Sequence, residues 1–68
     1  MIMRDWSIDK HEVTCVYTYN ACTGSLTYNF DTGELFGNKP TTLSNLDWFK
    51  QIKNFMSVCK RMIDTEIG

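Results

Sequence analysis

The sequence lacks a strong excess of either charge. Seven Lys and Arg stand against eight Asp and Glu in 68 residues, a formal net charge of -1. A general binder of nucleic acid or of anionic membranes usually carries a clear basic excess, which is absent here. Charge is nevertheless distributed unevenly along the chain, which allows local charged patches. Residues 1–38 hold five acidic and two basic side chains, and residues 39–68 hold five basic and three acidic ones.

Long apolar runs are also missing. No stretch approaches the roughly 18 apolar residues of a membrane span, and residues 1–10 have no continuous apolar core of signal-peptide length. We therefore expect a cytoplasmic protein without a membrane partner. The hydrophobic content of 43% and the aromatic content of 13% are typical of a folded chain, and the length predicts a single domain, 1–68.

Metal-ligating and disulfide-forming residues are few. His11 is the only histidine, and Cys15, Cys22 and Cys59 form an odd set that cannot pair fully. We therefore predict reduced thiols. One His and three Cys would suffice for a zinc site, but the spacing has no C-x-x-C pair, and Cys15 and Cys59 fall on predicted inward faces. A thiol or zinc protein ranks third among the functional hypotheses, after the two given at the end of this section. We expect no metal or cofactor.

The hydrophobic pattern changes period along the chain. The first two thirds alternate with period two, and the last third has a helical period. This predicts an α+β fold, in which a small antiparallel meander of three or four strands, about 2–36, is covered on one face by one C-terminal amphipathic helix, about 45–66. The predicted strands are 2–8, Glu12–Asn20, Ser25–Phe30 and Glu34–Phe36.

The strand pattern also assigns faces and turns. Val13, Cys15 and Tyr17 share one side of the second strand, and Leu26, Tyr28 and Phe30 share one side of the third. In the first strand, simple alternation groups Ile2, Arg4, Trp6 and Ile8 against Met3, Asp5 and Ser7. The turns are expected at 9–11, 20–24 and 31–33, with Gly24 and Gly33 supplying the positive φ that closes a hairpin.

The helix has clear start signals. Ser44 fits an N-cap with Asp47 three residues later, and Leu43 and Trp48 fit a hydrophobic staple. At about 100° per residue, one broad apolar face collects most of the large side chains: Trp48, Phe49, Ile52, Phe55, Met56, Cys59, Met62 and Ile63. The opposite face carries Lys50, Lys53, Lys60 and Arg61, which we call the basic stripe.

One internal repeat relates residues 18–26 (TYNACTGSL) to residues 27–35 (TYNFDTGEL). Two copies are too few for a solenoid, so we interpret them as consecutive hairpin units. The second copy, continued as LTYNFDTGELFG, resembles the Tyr/Asp-Gly-Leu hairpin that opens some phage homing endonucleases of the HNH type. The resemblance covers residues 26–37 and does not extend to the family's His-Asn-His chemistry, since His11 is the only histidine.

Candidate catalytic groups are poorly placed. Cys22 would need His11 as its base, but the two lie in turns expected at opposite ends of the meander. Asp31 and Glu34 flank a tight turn in open water, without the apolar surroundings that a catalytic pair of carboxyl groups needs. No Gly-rich phosphate loop is present. The sequence therefore predicts a protein that is not an enzyme.

The leading hypothesis is a protein-binding inhibitor or adaptor. In size and style the chain is similar to the small inhibitor proteins that bacteriophages use against host enzymes or defence systems, anti-CRISPR proteins among them, which implies a larger host or defence protein as partner. Alternate turns of a meander lie at one end, so the sequence predicts an acidic rim for partner binding: Asp9, Glu12, Asp31 and Glu34. Ordinary solvated carboxylates are the alternative.

Two further hypotheses concern association. Nucleic-acid binding through the basic stripe is the alternative function, and an ordinary solvated helix face competes with it, because no exposed aromatic residue is expected within the stripe. A meander also leaves two open strand edges, and small proteins often pair such an edge with a second copy. A homodimer is therefore expected as readily as a monomer.

Overall fold

The chain folds as a four-stranded antiparallel sheet followed by one helix. The computed structural model describes residues 1–66, which form β1 (Ile2–Ile8), β2 (Glu12–Tyr19), β3 (Cys22–Asn29), β4 (Glu34–Gly37) and α1 (Asn45–Glu66). The strand order in the sheet is β1-β2-β3-β4, so each strand pairs with its neighbour in the chain. The predicted α+β meander with a C-terminal helix is confirmed, including the fourth strand.

The core lies between α1 and one face of the sheet, which we call the inner face. Its buried side chains come from β2, β3, the loop before α1, and α1 itself: Val13, Cys15, Tyr17, Leu26, Leu43, Phe55 and Cys59. Aromatic contacts join the layers. The rings of Trp6 and Phe55 stack with centroids 5.5 Å apart, and Tyr17 meets Trp48 edge-on at 6.0 Å. The inward alternation predicted for β2 and β3 is confirmed.

The hairpin between β2 and β3 is tighter than predicted. Tyr19 pairs with Cys22, which leaves only Asn20 and Ala21 in the turn, and Asn20 takes a positive φ of 54°. β3 therefore begins at Cys22, and the prediction that it begins at Ser25 is wrong. The predicted turn role of Gly24 is also wrong, because Gly24 lies within β3 beneath the Tyr17 ring. Gly33, with φ of 77°, does occupy a turn as predicted.

A bulge in β1 overturns the simple alternation predicted there. The register with β2 shifts between Arg4 and Ser7, and Asp5 adopts a positive φ of 55°. This extra residue moves Trp6 and Ile8 onto the same face as Met3, against the core, and leaves Ile2 exposed. The inner face of β1 is therefore Met3, Trp6 and Ile8.

α1 starts as predicted but packs along a narrower line. The Asp47 amide donates to Ser44 Oγ at 3.2 Å, which confirms the N-cap. The packing face centres on Phe55 and Cys59, and Phe49 lies about 120° around the helix from Phe55. The inward prediction for Phe49 is therefore wrong, since 59% of it is exposed. Within residues 1–66, no helix has the length and apolar content needed to cross a membrane.

Candidate functional site

The turn between β1 and β2 meets the turn between β3 and β4 at one end of the sheet. His11 Nδ1 hydrogen-bonds to the Asp31 carboxylate, and the Phe30 amide donates to the His11 carbonyl at 3.0 Å. The sequence-based expectation that these turns are neighbours is confirmed. The carboxylates of the predicted acidic rim belong to these turns and the adjoining strand ends, and from here on we call them the acidic end: Asp9, Glu12, Asp31 and Glu34.

Strand register places two of these carboxylates in one row. Glu12 is opposite Asn29, which in turn is opposite Glu34, so all three residues occupy the face of the sheet away from α1, the outer face. The Asn29 side chain accepts hydrogen bonds from the Asp31 and Thr32 amides at 3.0 and 3.2 Å. These bonds fix the turn between β3 and β4, and with it the direction in which Asp31 approaches His11.

Asp9 holds the first turn in the same way. Its Oδ1 accepts hydrogen bonds from the His11 and Glu12 amides, both at 2.8 Å. These two bonds to the charged form lower the pKa of Asp9 below its ordinary value. Asp9 is therefore both a turn-forming residue and a fixed negative charge.

His11 is an exposed imidazole surrounded by carboxylates. The hydrogen bond to Asp31 is the largest cause that raises the pKa of His11 above 6.5, followed by the charge of Asp31, and then by the charges of Asp9 and Glu12. Protonated His11 offsets one negative charge of the acidic end. The sequence placed His11 in the turn but carried no signal for its pairing with Asp31, which depends on the docking of two separate hairpins.

The far end of α1 adds negative charge near this site. Glu66 lies beside Ile8, Asp9 and Lys10 around a shallow depression. The last turn of α1 has no basic residue, and within residues 1–66 neither Lys60 nor Arg61 forms an ion pair. Lys60 and Arg61 therefore do not neutralise the acidic end through ion pairs in this part of the chain.

The thiols and the histidine are spread across the molecule. Cys15 and Cys59 are buried, and loss of solvation raises the pKa of Cys15 to about 11 and that of Cys59 to about 12. Cys22 is exposed beside the turn between β2 and β3, at the end of the sheet opposite His11. Residues 1–66 contain no cluster of three His, Cys, Asp or Glu side chains arranged to hold a metal ion. The geometry therefore does not assemble the hypothetical zinc site.

The basic stripe is exposed as predicted, but its apolar neighbours differ from the prediction. Lys50, Lys53, Lys60 and Arg61 are exposed as predicted. Phe49 and Leu46 are exposed beside them, and Lys53 Nζ lies 5.5 Å from the centroid of the Phe49 ring. The expectation that no exposed aromatic residue interleaves the stripe is therefore wrong. The helical angle between Phe49 and Phe55 was the signal in the sequence that could have identified it.

A depression lies between β3, β4 and Tyr17. Hydroxyl groups, backbone and apolar side chains line it, with no carboxylate, imidazole or thiol among the lining residues: Tyr17, Thr23, Gly24, Ser25, Thr27, Leu35, Phe36, Gly37 and Asn38.

Comparison of the chain with protein-family models, curated proteins and solved structures found no match. The acidic end and the basic stripe remain as the charged surfaces with a defined geometry.

Proposed function

We propose that this chain is a protein-binding module whose acidic end docks on a basic functional surface of a larger protein. The observation that carries the proposal is the contact between His11 and Asp31, because it joins two hairpin turns into one rim of carboxylates. A concentrated negative surface steers a small protein onto a positive one and favours the correct orientation.

Rigidity supports the same proposal. Asp9 is hydrogen-bonded to two backbone amides, and Asn29 binds two more in the neighbouring turn. A site whose backbone is already ordered loses little conformational entropy when it binds. Glu12 and Glu34 emerge from paired strand positions, so their spacing is set by the ladder.

In its more specific form, the proposal is inhibition without catalysis. A carboxylate rim that occupies a basic channel competes with the anionic ligand of that channel, such as nucleic acid. The partner would be a host or defence enzyme in the cytoplasm, and the chain would act as the small phage inhibitors do. The support for this form is the size of the chain and the charge of the acidic end.

The proposal is tested with two variants of equal net charge. Glu12→Gln with Glu34→Gln removes two charges from the acidic end, and Thr41→Lys with Thr42→Lys adds two positive charges before the start of α1, so both pairs change the formal charge from -1 to +1. A partner is captured from the native host lysate, and its association rates are measured at low and at physiological salt. The first pair should slow association about tenfold at low salt and flatten its salt dependence.

The control pair should leave the association rate near the wild-type value. Equal rates for wild type and the Glu12 and Glu34 pair would refute docking through the acidic end. An equal slowing by both pairs would also refute it, because it would assign the effect to net charge.

A second candidate function is binding of single-stranded nucleic acid along α1. The specific observation in its favour is the exposed Phe49 ring flanked by Lys53. An aromatic face accepts a base by stacking, and neighbouring lysines bind phosphate. Lys50, Lys60 and Arg61 extend the positive surface along the same helix.

This alternative is tested by fluorescence anisotropy with a labelled single-stranded oligonucleotide. If it holds, binding weakens steeply between about 50 and about 200 mM salt, and Phe49→Ala weakens it about tenfold. Phe36→Ala is the matched control, since Phe36 is also exposed but lies on β4. Absence of binding at low salt, or equal loss in both variants, would eliminate this candidate.

A further inference from the structure

The two edges of the sheet are protected to different degrees. The β1 edge carries the bulge at Asp5 and an ion pair between Arg4 and Asp5, with 2.9 Å between nitrogen and oxygen. A bulge and charged side chains both discourage another strand from pairing. The register between β3 and β4 is unbroken, so the β4 edge has no bulge. Its sequence, Glu34–Gly37, holds one charge at its first residue and two apolar side chains at its centre.

Those apolar side chains lie on opposite faces at the open edge. Leu35 pairs with Tyr28 on the inner face, and Phe36 pairs with Thr27 on the outer face. They remain 39% and 53% exposed, respectively. An added strand along β4 would cover both.

The pairing of β4 with β3 determines which backbone amides and carbonyls of β4 are free to bind another strand. The Phe30 amide points toward β2, where it donates to His11. Because backbone amides and carbonyls alternate in direction along a strand, those of Asn29 and Thr27 point toward β4, where the register sets these residues opposite Glu34 and Phe36. The amides and carbonyls of Leu35 and Gly37 therefore point to the open side.

We propose that β4 pairs with β4 of a second copy, antiparallel and about a two-fold axis centred on Phe36. Residues that face each other in a sheet lie on the same face, so a two-fold register centres on a single residue. Centring on Phe36 lets Leu35 and Gly37 of each copy exchange hydrogen bonds with Gly37 and Leu35 of the other. The two Phe36 rings then form a cross-strand aromatic pair at the closer, non-hydrogen-bonded position.

Side-chain chemistry selects this register over its neighbour. Centring on Leu35 would set each Phe36 opposite the charged Glu34 of the other copy. Centring on Phe36 sets Glu34 opposite the uncharged Asn38, and the two Glu34 carboxylates fall at opposite ends of the paired segment. The acidic ends therefore lie apart, and no like charges face each other across the new pair.

The dimer is tested first by charge. Phe36→Lys places two ammonium groups opposite each other, while Phe49→Lys changes an equally exposed phenylalanine on α1. Sedimentation velocity of the wild type, from low to high micromolar concentration, should move from 7.9 kDa toward twice that mass. Phe36→Lys should raise the dissociation constant at least about tenfold, and Phe49→Lys should not. Circular dichroism verifies that both variants fold.

The register is tested by cross-linking in a Cys22→Ser background, which removes the exposed native thiol. Phe36→Cys should form an intermolecular disulfide under mild oxidation, because directly opposed non-hydrogen-bonded positions lie within disulfide range. Phe49→Cys should remain unlinked. A wild type that stays at 7.9 kDa at high micromolar concentration, equal dissociation by the two lysine variants, or equal cross-linking by the two cysteine variants would overturn the proposal.

Discussion

At the scale of single residues, Gly24 and Gly33 occupy identical Thr-Gly pairs but meet different physical demands. At Gly24 a Cβ atom would lie 2.5 Å from the Tyr17 hydroxyl oxygen. The absence of a side chain lets the Tyr17 ring cross β3, where its hydroxyl donates to the Asn38 carbonyl. At Gly33 space is free, and φ of 77° is the constraint. One glycine is needed for packing and the other for backbone conformation.

Gly24→Ala should therefore destabilise the protein by about 1 to 3 kcal/mol, because the Tyr17 ring must move from its position. Gly33→Asn is the control and should cost little, since asparagine tolerates positive φ. Urea denaturation followed by circular dichroism measures both. A change below about half a kcal/mol for Gly24→Ala would contradict the close approach of Tyr17.

His11 and Asp31 make stability depend on pH. The pKa of His11 is raised in the folded protein above the 6.5 of the free side chain, so the pair stabilises the fold fully below pH 6.5, and this contribution is lost as pH rises through the folded pKa. Asp31→Asn should return the imidazole pKa toward 6.5, as measured by NMR titration. It should also remove the matching pH dependence of the thermal midpoint.

Glu34→Gln provides the control for that titration. It removes one negative charge from the same end of the molecule but leaves the Asp31 carboxylate in contact with His11. The pKa of His11 should change much less than in Asp31→Asn. Equal values in the two variants would assign the raised pKa to general charge rather than to the hydrogen bond.

At the scale of elements, α1 stabilises the sheet through a narrow line of contacts. Phe55 and Cys59 are completely buried, and Trp48, Ile52 and Met62 pack beside them. Phe49 lies outside this set of packed residues, and the exposed Lys53 lies over its ring. The helix therefore packs on the sheet through one row of residues, and it presents Phe49 to solvent on another side.

Phe55→Ala should cost about 3 to 5 kcal/mol, because the substitution leaves a cavity beneath the Trp6 ring. Phe49→Ala should cost less than about 1 kcal/mol, the range of an exposed cation–π contact. Guanidinium denaturation of the two variants checks the difference. Similar losses at both positions would place Phe49 in the core, against the geometry of α1.

The sequence predicted the elements better than their local deviations. The capping Ser44 and the change of hydrophobic period located α1, and β-branched and aromatic alternation located β2. The bulge at Asp5 escaped prediction because a single residue in the left-handed region leaves no periodic signature. The adjacency of the turns at 9–11 and 31–33 followed from meander topology, whereas the pairing of His11 with Asp31 depended on how the two turns dock in three dimensions.

At the scale of the whole molecule, one small core joins α1 to the first three strands. Its buried side chains come from β2, β3, the loop before α1 and α1, so the described chain has no part that encloses a core alone. Removal of α1 would expose the inner face of the sheet, including Val13, Cys15 and Leu26. Sheet and helix should therefore unfold together.

A fragment of residues 1–43 should consequently be unfolded in water, since chains of about 40 residues without disulfides or metals rarely maintain a core. Far-ultraviolet circular dichroism of the fragment should show no sheet minimum and no cooperative thermal transition. The full chain should melt in one transition with the same midpoint by circular dichroism and by tryptophan fluorescence. A folded fragment would show that the meander is stable by itself.

The order of the strands in the sheet has a kinetic consequence. Because each strand pairs with its neighbour in the chain, every hairpin closes a short loop at low entropic cost. The contact between Trp6 and Phe55 instead joins the first strand to the last element. We therefore expect the three hairpins to assemble quickly, and the docking of α1 across β1 to set the folding rate.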